Sequence, residues 1–510
     1  MIIRDLSVSP EGGDEAARAE AEKRLGRKVE AFTIIKKSID ARKKPNVKLI
    51  YTVEVLARGE KSEIKPVYTP PKAKKIPEDR PVVVGFGPAG MFAALSLAMA
   101  GLRPIVLERG DDAETRSRKV REFWNGGRLD PESNVQFGEG GAGTFSDGKL
   151  NTGTKDERLG FVFRSLVDFG APGDIIYDAK PHIGTDVLKN VVVNLRRRVI
   201  ELGGEVRFRA KLTGIETEKG EVTAAVVNGS ERIACRRIVL AVGHSARDTF
   251  EMLYDMGVPM EAKAFSMGVR IEHRQSDIDF SQYGELAERN LLPPADYKLS
   301  CRFPEGDSAY TFCMCPGGSV VAAASEEGRV CTNGMSERAR DGENANSALL
   351  VTLTPDVFPY EGVLGGMKWQ RELEERAFLA GGGDYRAPAQ LSGDFLKGRK
   401  SEKAGGVRPT YRPGVRWTDL NSVLPDVIAR TLKKAIPALG KKLRGFDDPD
   451  AVLTAAETRS SSPVRLPRDE DLSSAIRGLY PCGEGAGYAG GIASAAADGL
   501  RVAEKIILSE

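Results

Sequence analysis

The pattern of apolar and polar positions changes character about eighty residues into the chain. Before that point, residues 29–39 and 48–56 alternate between apolar and polar with a period of two, and residues 14–25 form a polar, alanine- and glutamate-rich helical pattern. Alternation of this kind predicts half-buried strands. With a turn at 43–46, the pattern predicts a small α+β domain over residues 1–75.

A different type of pattern follows a proline- and lysine-rich stretch at 65–80, which has no periodicity and predicts a stiff, solvated linker. An apolar run at 81–85, an alanine-rich helix at 91–100 and a second strand at 104–108 then form the order of a βαβ unit. The further elements predicted in this part are a helix at 186–202 and strands at 204–215, 221–227 and 232–242.

The pattern changes again near residue 263. Alternating strands such as 265–272 are separated by irregular glycine- and proline-rich segments, which is typical of antiparallel sheets. The last 65 or so residues return to strand, glycine turn and helix. We therefore predict an α/β fold: a Rossmann-type nucleotide-binding domain in two parts, 80–262 and 444–510, interrupted by an inserted, mostly antiparallel substrate domain at 263–443.

Composition and charge restrict the classes of function. A chain of 510 residues is long enough for two or three domains, and a net charge of +3 predicts no polyanionic partner for the whole molecule. No apolar stretch is as long as a membrane-spanning helix, and the amino terminus has no signal-peptide pattern, so we expect a cytoplasmic protein. Six cysteines and three histidines, without metal-ligand spacing, predict neither a disulfide framework nor a metal site.

The strongest chemical signal is a glycine-rich fingerprint after the 81–85 strand. Gly85 permits a tight turn, Gly87 lets the backbone approach a diphosphate, and Gly90 allows close packing of helix and strand. Pro88 suits the first helical turn, where the helix N-terminus attracts phosphate. Glu108, at the end of the second strand, can accept the hydroxyls of an adenosine ribose. Strand, turn, helix, strand and acid in this order predict a dinucleotide site.

Two further glycine-rich segments favour FAD over NAD. Residues 137–149 combine small residues, hydroxyls and Lys149, which suits a loop lying against phosphates and the flavin edge. Residues 479–492 place Glu484 to accept ribityl hydroxyls and begin a helix whose N-terminus would stabilise charge on the flavin pyrimidine ring. Two flexible loops without a ligand are the alternative interpretation. The predicted cofactor-binding residues are Gly85, Gly87, Pro88, Ala89, Gly90, Glu108, Arg109, Gly140, Gly141, Ala142, Gly143, Thr144, Ser146, Lys149, Gly243, Gly483, Glu484, Gly490, Gly491 and Ile492.

These motifs resemble a known group of flavoproteins. Residues 85–90, 140–149 and 483–491 are similar to the glutathione-reductase-like FAD superfamily. More narrowly, residues 137–150 and 480–499, together with the segment ETRSSSPVR, resemble the uncharacterised FAD-dependent dehydrogenases of bacteria. The similarity extends from about residue 80 to the carboxyl terminus. It implies an FAD cofactor and this architecture, and it does not imply a substrate.

Two cysteines are candidates for chemistry beside the flavin. Cys313 and Cys315 lie two residues apart on a predicted strand, so they share one face and could be redox-active or substrate-facing. Packing as small apolar residues is the alternative. A direct disulfide is not expected, because residues two apart on an extended strand are about 6.5 Å apart with parallel Cβ vectors. Cys482 is the candidate third partner.

Two further residues are candidates for a catalytic role. His182 precedes a helix that Thr185 is expected to cap, and it could be a general acid beside the flavin or a hydrogen-bonded structural histidine. Arg459 could anchor a substrate carboxylate through its planar fork, or form an ordinary ion pair with a nearby acid. For His244 and His273 we expect structural roles.

The function that fits best is a FAD-dependent oxidoreductase that moves two electrons between the flavin and a small-molecule substrate. A single nucleotide fingerprint means that reductant either enters the substrate cavity or arrives from a redox partner protein. One rival is an RNA-modifying flavoenzyme that uses basic residues at 36–44, although aromatic residues for base stacking are few there (Phe32 and Tyr51). Another is a non-catalytic flavin-binding or electron-relay protein.

Overall fold

The computed structural model describes residues 1–44 and 46–510; Pro45, within the predicted turn at 43–46, lies outside the described residues. The amino-terminal unit is an antiparallel sheet in the order Ile2–Val8, Lys48–Leu56, Ala31–Asp40, with the helix Gly13–Leu25 packed on it. Its small core contains the apolar side chains that alternate along these strands. The second strand begins at residue 31 rather than 29, because the chain first leaves the helix through Gly26 in the left-handed conformation.

The segment between this unit and the next strand contains no helix or strand among its described residues. It is nevertheless fastened to the protein rather than fully solvated. The Tyr68 hydroxyl donates to Glu504 at 3.1 Å, and its ring makes an edge contact with Phe161 and lies under the Arg158 guanidinium. The linker prediction is therefore right about the absence of regular structure and wrong about solvation around Tyr68.

A five-stranded parallel sheet forms the centre of the next part. Its order is Leu479–Pro481, Ile238–Leu240, Val82–Val84, Ile105–Leu107, Glu205–Arg207. Successive side chains of a strand point to opposite faces, so Val83 enters one core cluster while Val82 and Val84 enter another. The helices of this part are Pro88–Met99, Ala113–Trp124, Leu159–Asp168, Thr185–Glu201, Arg247–Asp255 and Ile492–Leu508.

Two of the predicted strands are each divided between two sheets. The 204–215 strand is Glu205–Arg207 in the parallel sheet and Leu212–Glu218 in a three-stranded antiparallel sheet, because Arg209 at φ 55° turns the chain between them. The predicted 232–242 strand is likewise two strands: Glu231–Ala234 in the antiparallel sheet and Ile238–Leu240 in the parallel sheet. The antiparallel sheet is completed by Glu221–Val227 and Glu231–Ala234. A period-two pattern cannot show where a chain changes sheets.

The remaining large element is a seven-stranded, mainly antiparallel sheet. Its order is Ser300–Arg302, Ser308–Cys315, Asn344–Leu353, Phe265–Arg274, Val452–Glu457, Ala387–Leu391, Val415–Trp417, and only the last pair is parallel. The strand Val452–Glu457 was expected in the second nucleotide-binding part at 444–510. It instead pairs with Phe265–Arg274. The pattern was misleading because all six residues of the strand are buried, and a central antiparallel strand then gives the same apolar run as a parallel one.

Shorter elements complete the structure. Two small antiparallel pairs join Ser319–Ala322 to Thr332–Met335 and Glu261–Ala262 to Val464–Arg465. The helices beside the large sheet are Gln275–Tyr283, Gly365–Gly381, Ser392–Lys397 and Asp426–Gly440. Short 3₁₀ turns lie at Ala142–Phe145, Gly173–Ile176, Gly284–Arg289, Pro355–Val357 and Leu420–Ser422. No helix within the described residues is both long and apolar enough to cross a membrane.

Candidate functional site

A cavity of about 550 Å³ lies between the parallel sheet and the seven-stranded sheet. One wall is formed by loops that follow the strands of the parallel sheet at their carboxyl ends, including Gly85–Ala89 and Gly243–Ser245. The opposite side, which we call the cap wall, contains Thr311–Cys313, Glu457 and Arg459. In open parallel sheets, ligands bind outside the carboxyl ends of the strands. The position and the size of the cavity both suit a cofactor site.

The nucleotide fingerprint forms a tight strand–turn–helix at this cavity. Gly85 has φ 93°, a conformation that favours glycine. A Cβ at Gly90 would lie 1.9 Å from the Gly85 carbonyl oxygen, so helix and strand are in the close contact expected from the motif. Gly87 is the N-cap of the helix Pro88–Met99, which has no side-chain cap and no acid in its first turn. The first N–H groups are thus left for a ligand.

A second helix N-terminus meets the same cavity. Gly491 is the N-cap of Ile492–Leu508, again without a side-chain cap or a first-turn acid, and Gly490, Gly491 and Ile492 all line the cavity. Lys149 lines it too. Two uncapped N-termini and a cation make a donor set for a diphosphate and for negative charge on a ring. The residues present therefore fit FAD, a dinucleotide whose flavin ring carries negative charge when it is reduced.

Glu108 lines the cavity but has a further role that the sequence did not reveal. Its Oε2 accepts the N–H of Phe86 at 2.9 Å, and its Oε1 accepts the N–H groups of Gly110 and Gly138, also at 2.9 Å. The carboxylate therefore joins the fingerprint turn to two other loops. One of its roughly four acceptor positions remains for a ribose hydroxyl.

The other predicted cofactor-binding residues divide into two groups. Most of them lie on the cavity surface. Arg109 is one of these; its guanidinium lies 4.1 Å from the Phe137 ring centre and pairs with Asp248. The residues predicted to bind the cofactor that lie on the cavity are Gly85, Gly87, Pro88, Ala89, Glu108, Arg109, Gly141, Ala142, Gly143, Ser146, Lys149, Gly243, Glu484, Gly490, Gly491 and Ile492. Those that lie behind its surface are Gly90, Gly140, Thr144 and Gly483. This second group shapes the loops: the buried Thr144 hydroxyl, for example, donates to the Glu139 carbonyl.

His244, for which the sequence suggested a structural role, lies in the cavity beside Glu484. The Nδ1 of His244 is 3.6 Å from Glu484 Oε1, and its Nε2 has no well-aligned hydrogen-bond partner among the described residues. Burial, followed by the nearby Arg459 and Arg247, lowers the pKa of His244 to about 3. Burial raises the pKa of Glu484 to about 7. The position of His244 after the strand Ile238–Leu240 was the signal that could have identified it.

His182 does not line this cavity. Its Nε2 lies 3.2 Å from the Arg338 carbonyl oxygen, and burial, then Arg340, lowers its pKa to about 4. The structural alternative therefore describes His182 better than a general acid does. Thr185 is not the N-cap, because the helix starts one residue earlier than a cap at Thr185 requires. Gly184 holds the cap position, and the Thr185 hydroxyl donates to the Thr144 carbonyl.

Arg459 faces the cavity but its guanidinium is committed to protein groups. Nε and Nη2 donate to the two oxygens of Glu374 at 3.0 Å each, and Nη1 donates to Ser325. Glu374 is fully buried and also receives a bidentate pair from Arg247. The ion-pair alternative is therefore favoured for Arg459 over a substrate anchor, since Nε and Nη2 are both held by Glu374 and the side chain is only 3% exposed.

The two cysteines of the cap wall do not have the geometry of an extended strand. The ladder pairs Phe312 with Ala348 and Cys315 with Asn346, so a β-bulge lies between them, and Cys313 has φ 43°. The sequence predicted that the two thiols have the spacing of a regular extended strand. This prediction is wrong, because the bulge changes the backbone between the two cysteines. Cys313 lines the cavity and Cys315 lies buried behind it. Cys482, the proposed third partner, is buried, and burial raises the pKa of its thiol.

Several solved flavoenzyme structures are similar to this chain at low identity. A triple mutant of the flavin-dependent brominase Bmp2 is 12% identical, with a TM-score of 0.39 over 85% of this chain and 81% of its own. The halogenase PltM in complex with phloroglucinol and FAD is 12% identical, with a TM-score of 0.38 over 85% and 68%. Glycine oxidase from Bacillus cereus is 12% identical, with a TM-score of 0.31 over 85% and 95%. Similarity at this level says nothing about the reaction.

Sequence relatives are more informative. Residues 264–460 match a family described as "FAD-dependent protein, C-terminal domain-like", and residues 1–56 match a domain of unknown function. A protein of Clostridium beijerinckii, described as uncharacterized, is 51% identical over 494 residues, which cover 94% of this chain and 92% of that protein. The cofactor of this protein is therefore FAD.

Proposed function

The chain belongs to the same family as the uncharacterized Clostridium beijerinckii protein, and its residues 264–460 match a FAD-dependent domain family. From this premise we propose that it is an oxidoreductase that moves two electrons between FAD and a small molecule. The observation that carries the proposal is the single cavity of about 550 Å³ that runs from the nucleotide fingerprint to the cap wall. Because the lining of the cavity continues from the cofactor-binding motifs onto the cap wall, a small molecule has a surface to contact beside the cofactor.

The residues around the cavity would hold and orient the cofactor. The N-terminus at Gly87 binds the diphosphate, and the N-terminus at Gly491 stabilises negative charge on the ring system. When bound, FAD supplies the two-electron chemistry. The protein supplies position, charge and exclusion of water.

Glu484 and His244 are the groups best placed to hold or move a proton. They are 3.6 Å apart in the cavity, and the pKa of Glu484 is raised to about 7 by burial. A carboxyl group that titrates near neutral pH can give or take a proton under cellular conditions. His244 is neutral, so its ring can donate or accept a hydrogen bond.

We propose further that the enzyme acts as a dehydrogenase of the glutathione-reductase-like superfamily in the cytoplasm. Its fingerprint, Gly85–Gly90 with Glu108, supports this placement. We expect reductant to reach the flavin through the same cavity as substrate or from a redox partner protein, because the sequence contains a single complete fingerprint.

Anaerobic flavin spectroscopy tests this proposal. The purified protein should be yellow, release FAD on denaturation, and undergo bleaching or reoxidation with at least one member of a small-molecule panel. Glu484→Gln should slow that reaction and change its pH dependence near pH 7, while retaining FAD. The matched control is Glu114→Gln, an exposed acid on the helix Ala113–Trp124. If wild type and Glu484→Gln react at the same rate at every pH, the assigned role of Glu484 is wrong.

The RNA-modifying alternative has less support from the structure. Lys37 pairs with Asp14 at 2.9 Å, Arg42 pairs with Asp40, and Tyr51 is buried in the core. These cations are already partly neutralised and this ring is unavailable for base stacking. RNA binding that weakens steeply with salt would nevertheless restore that alternative.

A further inference from the structure

The β-bulge in the strand Ser308–Cys315 brings two thiols together at the cavity. Cys315 Sγ donates to the Cys313 carbonyl at 3.3 Å, so the bulge folds the Cys315 side chain back toward residue 313. The two sulfurs differ in environment: Cys313 lines the cavity, whereas Cys315 is fully buried. Cys313 can therefore meet a solute in the cavity, whereas Cys315 has no exposed surface.

The surroundings favour a thiolate at Cys313 rather than at Cys315. The hydrogen bond from Cys315, followed by the positive charges of Arg270 and Lys149, lowers the pKa of Cys313, and the same hydrogen bond together with burial raises the pKa of Cys315. Arg270 is itself fully buried and donates Nη1 to the Cys313 carbonyl at 2.9 Å. A partly exposed thiol among fixed positive charges is the environment of reactive cysteines.

The other four cysteines provide an internal comparison. Burial raises the pKa of each of their thiols, to about 12 at Cys235 and about 11 at Cys331, and by direction at Cys301 and Cys482. Cys313 is thus the one cysteine of the six whose environment favours the charged form. A structural role in the core would not require this difference.

We propose that Cys313 and Cys315 are a redox-active dithiol that reduces a low-molecular-weight disulfide in the cavity. The Cys313 thiolate attacks one sulfur of the disulfide, whose S–S bond breaks to release a first thiolate that takes up a proton. Cys315 then loses its proton and attacks Cys313 of the mixed disulfide, which forms the Cys313–Cys315 bond and releases the second thiol. One small disulfide is reduced to two thiols, and the cysteine pair is oxidised by two electrons.

The presence of a second thiol favours thiol–disulfide exchange over other reactions of a cysteine. A single nucleophilic cysteine would suffice for addition to a substrate, whereas a buried second cysteine whose sulfur is folded back toward residue 313 is suited to resolving a mixed disulfide. Two electrons and two protons from reduced FAD would restore both thiols, and only this return step rests on the proposed function. The exchange itself needs no flavin chemistry.

Thiol counting on the full-length protein tests the proposal. The protein is reduced, desalted and exposed to glutathione disulfide, then denatured for thiol titration and intact-mass measurement. We expect wild type to lose two of its six thiols, with a mass lower by two hydrogens and peptide mapping that joins Cys313 to Cys315. Cys315→Ser should keep a glutathione adduct on Cys313, and Cys313→Ser should not react.

Cys301→Ser is the matched control, because Cys301 is partly exposed on the adjacent edge strand and should leave the exchange unchanged. Retained FAD and an unchanged circular dichroism spectrum show that each variant has folded. The proposal is overturned if folded wild type keeps all six thiols, or if Cys313→Ser loses thiols as wild type does. Either result leaves the flavin assay of the proposed function untouched, so the two failures can be distinguished.

Discussion

Replacing Glu108 with alanine should destabilise the protein itself as well as weaken its hold on FAD. The carboxylate accepts three backbone N–H groups, from Phe86, Gly110 and Gly138, at 2.9 Å each. Hydrogen bonds to a charged group contribute about 1.5–3 kcal/mol each, and alanine leaves all three donors without this acceptor. We therefore expect a loss of at least about 4 kcal/mol, which is a large part of the roughly 5–15 kcal/mol that stabilises a typical folded protein.

Urea denaturation of the apoprotein, followed by circular dichroism, measures this effect without the cofactor. Glu108→Gln keeps the volume and one acceptor oxygen, so it should be destabilised less than Glu108→Ala. Glu114→Gln, an exposed acid in the next helix, should match wild type. If Glu108→Ala apoprotein unfolds at the wild-type urea concentration and only FAD affinity falls, Glu108 acts as a ribose acceptor alone and the structural argument is wrong.

Four further predictions have defined outcomes. Glu374→Gln leaves two buried arginines without their carboxylate and should lower the free energy of unfolding by about 3–5 kcal/mol in urea titrations. Gly90→Ala places a Cβ against the turn and should reduce FAD retention on gel filtration, whereas Gly173→Ala, where a Cβ meets nothing within 4 Å, should not. The pKa of Glu484 is raised to about 7, so its proton stabilises the apoprotein below about pH 4.5 and that stability is lost as pH rises through 7. The free energy of unfolding of Glu484→Gln should therefore rise relative to that of wild type from pH 5 to 9 in the same titrations. A difference that stays constant with pH would contradict this. NADPH should bleach the flavin in stopped-flow well below about 10 per second, and bleaching at that rate would contradict a single nucleotide fold.

The glycine fingerprint was predictable because its requirements are local. Gly85 needs a positive φ and Gly90 needs the absence of a side chain, and both needs are visible in residue type and spacing alone. The βαβ order of Val82–Val84, Pro88–Met99 and Ile105–Leu107 is local in the same sense. Apolar runs of this kind identify helices and strands reliably, although the predicted ends of these elements differ from the observed ends by a few residues.

The parts that could not be predicted depend on contacts between distant residues. His244 and Glu484 are 240 positions apart, and only the parallel pairing of the strands before them makes them neighbours. The same holds for Arg459 and Glu374, whose ion pair joins a loop to a helix. The bulge at Cys313 depends on register with Asn344–Leu353, which no period-two pattern reveals.

The central claim is that a small molecule exchanges electrons with FAD inside the cavity that the cap wall closes. The most direct measurement is reoxidation of the photoreduced, anaerobic holoprotein by a panel of small acceptors, comparing wild type with Asn151→Trp, which places a bulky ring at an exposed residue lining the cavity. The account predicts that at least one acceptor restores the flavin absorbance in wild type and does so more slowly in the variant. A flavin that stays reduced with every small acceptor, but is reoxidised by a protein fraction at equal rates in both, would contradict it and identify an electron relay.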